Sequence, residues 1–215
     1  MLNLDLPTVL SRVIILLIAF TVHEFCHAWS ATAFGDETPR MNGRLTLNPL
    51  AHLDVMGSLM LIVAGFGWAR PVPINPYALS RRSPAAVMWV SLAGPLSNFI
   101  MAILAAIPLR LHLVNMSLST SPILPSPYQF LVDFIIINLA LTLFNLIPIA
   151  PLDGEKIAEY FFPPSMARFM DSIRPYGPII LLVLVFVGPA IGFNFIGVIM
   201  NPVLTRLFTL LVGVS

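Results

Sequence analysis

The run His23-Glu24-Phe25-Cys26-His27 carries the densest chemistry in the chain. On an α-helix its two histidines stand four positions apart, about 40° round the axis, so both imidazoles reach one metal ion. Glu24 lies about 100° round from His23, where a carboxylate reaches a metal-bound water rather than the metal. Imidazole and carboxylate ligands with one tetrahedral position open suit zinc, and such a site supports metal-assisted hydrolysis. In a soluble protein the pattern could arise by chance. In an apolar helix each ionisable residue costs about 2.5–3.5 kcal/mol, so His23, Glu24 and His27 together need a compensating partner, which a metal ion supplies.

Two histidines leave the site short of a ligand. The best further candidate is the acid in Asn145-Leu146-Ile147-Pro148-Ile149-Ala150-Pro151-Leu152-Asp153-Gly154. Two prolines followed by Asp-Gly end an apolar helix, so the backbone unwinds where Asp153 sits. Unwound backbone at membrane depth is tolerated only when buried in protein or lining a watery cavity. An ordinary surface turn uses the same residue types, so local spacing leaves both readings of Asp153 open.

The elements that must position these residues are membrane helices. The chain is 58% hydrophobic and only 10% charged, with a mean hydropathy of +0.91. A soluble domain carries roughly 25% charged residues, so a soluble zinc enzyme is excluded and the class is an all-α polytopic membrane protein in the lipid bilayer. The net charge of +1 gives no sign of a nucleic-acid partner, and the one cysteine, Cys26, cannot form an internal disulfide. About six transmembrane segments are expected, near 8–34, 53–66, 85–112, 129–150, 177–191 and 195–213. The second and fifth are short enough to be re-entrant or tilted. A short strand or loop is expected over Gly43–Pro49, and an extended Pro-rich stretch over Arg70–Pro76. No linker divides the chain, so residues 1–215 read as a single membrane domain. Arg12 and the following apolar run resemble a signal peptide weakly, but cleavage would remove the histidines. If all six segments cross, eight of the eleven basic residues fall on the side holding both termini, which places the protein in the cell membrane with both termini cytoplasmic.

The pentapeptide together with Asn-x-x-Pro-x-x-Pro-Leu-Asp-Gly resembles the site-two protease family of intramembrane zinc metalloproteases. Gly43-Arg44-Leu45-Thr46-Leu47-Asn48-Pro49, His52-Leu53-Asp54 and Ala93-Gly94-Pro95-Leu96-Ser97-Asn98 follow in the order that family shows, and the similarity covers about residues 10–160. The resemblance implies His23, His27 and Asp153 as zinc ligands and Glu24 as catalytic base. It also implies an intramembrane metalloendopeptidase acting on transmembrane protein substrates, in regulated intramembrane proteolysis. Asn145 resembles the family asparagine beside the scissile peptide, where its amide could hold substrate or stabilise an oxyanion; a helix-packing amide is the competing reading. Val55 and Glu155 depart from the common Pro and Gly, and the length leaves no room for the PDZ or CBS domain of some relatives.

Other polar residues read as structural. Gly94 permits close helix approach, Pro95 shapes the helix, and Asn98 is taken with them. His52 and Asp54 could line a substrate path or form a supporting pair behind the ligands. Cys26 reads as packing, His112 as interfacial, and Trp29, Trp68 and Trp89 as core or interface anchors. An extended substrate could add as a strand beside Gly43–Pro49. A metal-binding membrane transporter and a catalytically inactive membrane adaptor are the alternatives. Neither has a need for Glu24 directly after the first histidine.

Overall fold

The computed structural model describes residues 5–57, 67–116, 121 and 123–213. Its helices are α1 (Leu6–Ala33), α2 (Thr38–Met41), α3 (Pro76–Arg82), α4 (Ala86–Arg110), α5 (Pro127–Asn145), α6 (Asp153–Phe161), α7 (Pro164–Ala190) and α8 (Phe195–Val212). α7 is continuous but irregular, with a 3₁₀ turn at Arg174–Tyr176 and a π turn at Val183–Val187. Five helices, α1, α4, α5, α7 and α8, are long and apolar enough to cross a membrane. The all-α polytopic class holds.

Local chemistry sets the helix ends. Ser126 accepts from the Gln129 N–H ahead of α5, and Pro127 opens that helix where a missing N–H costs nothing. Asn75 and Pro76 do the same for α3, and Asn194 caps α8. α1 stops just before Gly35, whose φ of +89° suits glycine.

α4 is the central helix, packed against α1, α5, α6 and α8. Ala102, Ala106 and Leu109 of α4 form one core with Ile135 and Leu139 of α5 and Val212 of α8. Ala31 of α1, Leu79 of α3, and Ala86 and Val90 of α4 form another. The second core sets the C-terminal end of α1 beside the N-terminal end of α4, so the chain from 34 to 85 leaves and returns on one side.

That geometry corrects the expected topology. Residues 58–66, the interior of the expected second span, lie outside the described residues. Its ends, however, meet: Leu53 pairs with Ala69 in an antiparallel bridge, and the Arg70 N–H donates to His52 O at 2.8 Å. Leu53 and Ala69, which flank that segment, therefore lie on the same side. Of the strand or loop expected over Gly43–Pro49, the loop is found. No strand forms there among the described residues, because turns and the 3₁₀ turn Pro49–Ala51 occupy it. The fifth segment starts earlier than its apolar run, since helix continues back from 177 to Pro164 through charged residues.

The ends of the chain share a side. Gln129 of α5 donates to Thr8 Oγ1 near the start of α1 at 3.3 Å. Arg110, at the end of α4, donates to Leu210 O near the end of α8 at 2.7 Å. α4 and α5 are antiparallel, with Asn98 opposite Asn138 and Pro95 opposite Thr142. The starts of α1 and α5 and the ends of α4 and α8 therefore lie together.

Candidate metal centre

His23 and His27 are buried on α1 and face α4. His23 sits ten residues before the end of α1, and Gly94 eight residues into α4. At a helical rise of 1.5 Å, both lie about 12–15 Å below the side where α1 ends. Asp153, first residue of α6, completes the cluster. Its Oδ2 lies 3.1 Å from His23 Nε2 and 3.2 Å from His27 Nε2, and the two Nε2 atoms are 3.0 Å apart. Residues 130 positions apart in sequence thus converge on one point.

Glycines make this convergence possible. A Cβ at Gly94 would stand 2.4 Å from His27 Nε2 and 2.6 Å from His23 Nε2, so a larger residue there fills the space between the ligand atoms. A Cβ at Gly154 would meet Leu146 O at 2.4 Å and Ile147 O at 2.5 Å. Its absence lets α6 start against the turn that follows α5, which carries Asp153 inward. The Ala150–Pro151 peptide in that turn is cis.

The donor set demands positive charge at its centre. The His27 Nδ1–H donates to Val90 O at 2.7 Å, so a neutral His27 turns a bare Nε2 lone pair toward the cluster. Carboxylate and imidazole acceptors facing one another without a proton repel, and a cation between them removes the repulsion. Two imidazoles and a carboxylate are the ligand types zinc takes when it keeps one position open.

Glu24 is buried beside the cluster, and its Oε2 accepts from the Val72 N–H at 3.0 Å. Val72 lies in the Pro-rich segment after the bridge, whose neighbour Pro71 accepts from Arg44 Nη2 at 3.0 Å. Arg44 is buried and also donates to Ala51 O, tying the Gly43–Pro49 turns to the Pro-rich segment. A cavity of about 410 Å³ lined by Arg44, Arg70, Pro71 and Pro73 opens next to this junction.

The other expected residues divide. Asn145 ends α5 and its amide donates back to Leu141 O at 3.0 Å; no hydrogen bond joins it to the cluster among the described residues. His52 staples its own loop through Thr46 O at 2.8 Å, and Asp54 accepts from the Gly57 N–H at 2.8 Å, so neither supports the ligands. Asn98, read from the sequence as structural, is bonded to the cluster: its Oδ1 lies 2.8 Å from His23 Nδ1. A neutral amide buried in an apolar helix without an assigned partner is the signal that could have found it. Glu155 is buried and paired with Arg174, which also reaches Glu159 at 3.0 Å and Asp171 at 3.1 Å.

The profile of peptidase family M50 matches residues 111–185, which include Asp153. The Bacillus subtilis protein YwhC, which carries a zinc-metalloprotease name, is 45% identical over 178 residues, covering 82% of this chain and 80% of that protein. Rip2 of Mycobacterium tuberculosis, with the same kind of name, is 31% identical over 189 residues, covering 85% of this chain and 69% of its own length. No solved structure matches the chain.

Proposed function

The chain belongs to peptidase family M50, the site-two zinc metalloproteases, and from that premise we propose that it cuts membrane-protein substrates within or near their transmembrane segments. The reaction is endopeptidase hydrolysis as part of regulated intramembrane proteolysis, carried by one domain spanning residues 1–215. The observation that carries the reading is the meeting of His23 Nε2, His27 Nε2 and Asp153 Oδ2 within 3.2 Å of one another, about 12–15 Å inside the helix bundle.

His23, His27 and Asp153 would hold the zinc, which would supply Lewis acidity to a water and to the substrate carbonyl. Glu24 takes the proton of the attacking water and returns it to the leaving amine. The Val72 N–H holds Glu24 Oε2, which keeps the carboxylate turned one way and leaves its second oxygen for this exchange. Asn145, at the end of α5, steadies the substrate peptide once its amide leaves Leu141 O. The substrate must unwind to expose a carbonyl, since a helix hides its carbonyls in hydrogen bonds. The cavity beside Arg44 and Pro71 is its path.

We place the side where α1 ends in the cytoplasm and both termini on the opposite side, which reverses the orientation expected when all six segments cross. With residues 34–57 and 67–85 on one side, that side collects Arg40, Arg44, Arg70, Arg81 and Arg82, against Arg12, Arg110 and Arg206 on the other.

Purified protein incubated with a single-span substrate tests the activity. Wild type should hold about one zinc per chain and cleave. Glu24→Gln should keep the zinc while cleavage falls at least about 10²–10⁴-fold, the usual contribution of a general base. Cleavage by Glu24→Gln at the wild-type rate sinks the mechanism.

A further inference from the structure

Two asparagines on neighbouring helices form a chain of hydrogen bonds that ends on His23. Asn98 and Asn138 are both fully buried at 0% exposure. Asn138 Nδ2 donates to Phe134 O at 2.9 Å, Asn98 Nδ2 donates to Asn138 Oδ1 at 3.2 Å, and Asn98 Oδ1 lies 2.8 Å from His23 Nδ1. We infer that Asn138 and Asn98 are positioning residues, an amide relay that fixes the tautomer of His23 so that its Nε2 presents a lone pair to the metal.

The direction of the relay follows from its far end. Phe134 O is a backbone carbonyl and can only accept, so Asn138 must turn its NH₂ toward it and its oxygen toward Asn98. Asn98 must then turn its NH₂ toward Asn138 and its oxygen toward His23. An oxygen at that place accepts, so the His23 proton sits on Nδ1 and Nε2 stays bare. The opposite orientation of Asn98 would set an NH₂ against Nδ1 and move the proton to Nε2, onto the Asp153 carboxylate, where it blocks ligation. One amide alone could adopt either orientation; the second, anchored on a helix carbonyl, removes that choice. Thr142 Oγ1 fastens the same helix pair through Pro95 O at 3.2 Å. His27 needs no relay, because its Nδ1 meets the Val90 carbonyl directly.

The inference rests on His23 being a zinc ligand, which His23→Ala tests separately. Zinc affinity is measured in detergent by competition with a chromogenic chelator, and the cobalt-substituted absorption spectrum reports ligand geometry. Asn138→Leu, which does not touch His23, should weaken zinc about 10–100-fold, the usual cost of losing an outer partner of a ligating histidine. Asn138→Asp should hold zinc as wild type does, because burial favours its neutral acid, which supplies the same donor and acceptor. In an Asn98→Asp background, where the His23 N–H favours the ionised carboxylate, which accepts whichever way it turns, Asn138→Leu should cost nothing further. If Asn138→Leu does not fold, the Asn138→Asp and Asn98→Asp arms still decide. Wild-type affinity in folded Asn138→Leu, or a large loss in Asn138→Asp, overturns the relay. Retained zinc in His23→Ala overturns the ligand assignment instead.

Discussion

The Val72 N–H donates to Glu24 Oε2 at 3.0 Å, and the carbonyl of that same peptide group, Pro71 O, accepts from Arg44 Nη2 at 3.0 Å. One peptide unit therefore lies between a buried guanidinium and the carboxylate assigned as base. Arg44 does not touch Glu24 through this link; it holds the peptide that does. Arg44→Met should leave zinc content unchanged and slow cleavage about tenfold, as expected for losing a hydrogen bond that orients a charged group. Zinc assay and cleavage kinetics on the same preparation check this. Unchanged turnover would mean that Glu24 keeps its orientation without the Arg44 clip.

Gly94 gives a sharper test of the centre itself. Alanine suits a helix better than glycine, so Gly94→Ala should not harm α4 by propensity. Its Cβ would nevertheless stand 2.4–2.6 Å from both Nε2 atoms. The expected outcome is near-complete loss of zinc with unchanged helical circular dichroism. Full zinc occupancy in Gly94→Ala would place the ion elsewhere than between these nitrogens.

The contrast between Gly94 and Asn98 shows what was legible in the sequence. His23, Glu24 and His27 were legible because i, i+4 spacing on one helix is a local relation. Asp153 was half legible: the Pro and Gly pattern marked an unwound segment, but only the turn packed under Gly154 brings it to α1. Asn98 was read as packing because its partners, His23 and Asn138, lie on other helices. Val90 O was invisible in principle, since any residue offers a carbonyl. For the segment near 53–66 the apolar length is local, whereas the bridge between Leu53 and Ala69 that flanks it is not.

Glu155, one of the two departures from the resembling pattern, pairs with Arg174. Glu155 is buried two residues after Asp153, and Arg174 ties it to Glu159 and Asp171, locking α6 to α7. Arg174→Met leaves the buried Glu155 carboxylate unpaired, whereas Glu155→Gln removes the charge that needs pairing. Because Arg174 is partly exposed, the loss should be on the order of 1–2 kcal/mol, less than for a fully buried pair. Thermal melts in detergent should rank wild type above Glu155→Gln and Glu155→Gln above Arg174→Met. A melt of Arg174→Met equal to wild type would show that α6 is held without the pair.

The proposed orientation rests on where residues 34–57 and 67–85 lie. They leave α1 and enter α4 at one end of the bundle, as the contact of Ala31 with Ala86 and Val90 requires. That end carries Arg40, Arg44, Arg70, Arg81 and Arg82, against Arg12, Arg110 and Arg206 at the other, and basic residues accumulate on the cytoplasmic side. The loop after α4 lies at the other end with both termini. Leu113 in that loop is 72% exposed, and Arg81 on α3 is also exposed. In a Cys26→Ala background, Leu113→Cys should react with a membrane-impermeant maleimide on intact cells. Arg81→Cys should react only after the cells are permeabilised. The same experiment bears on the active site, since the histidines lie nearer the α3 end than the Leu113 end. Labelling of Arg81→Cys from outside, with Leu113→Cys protected, would invert the protein in the membrane and move the site to the outer half of the bilayer.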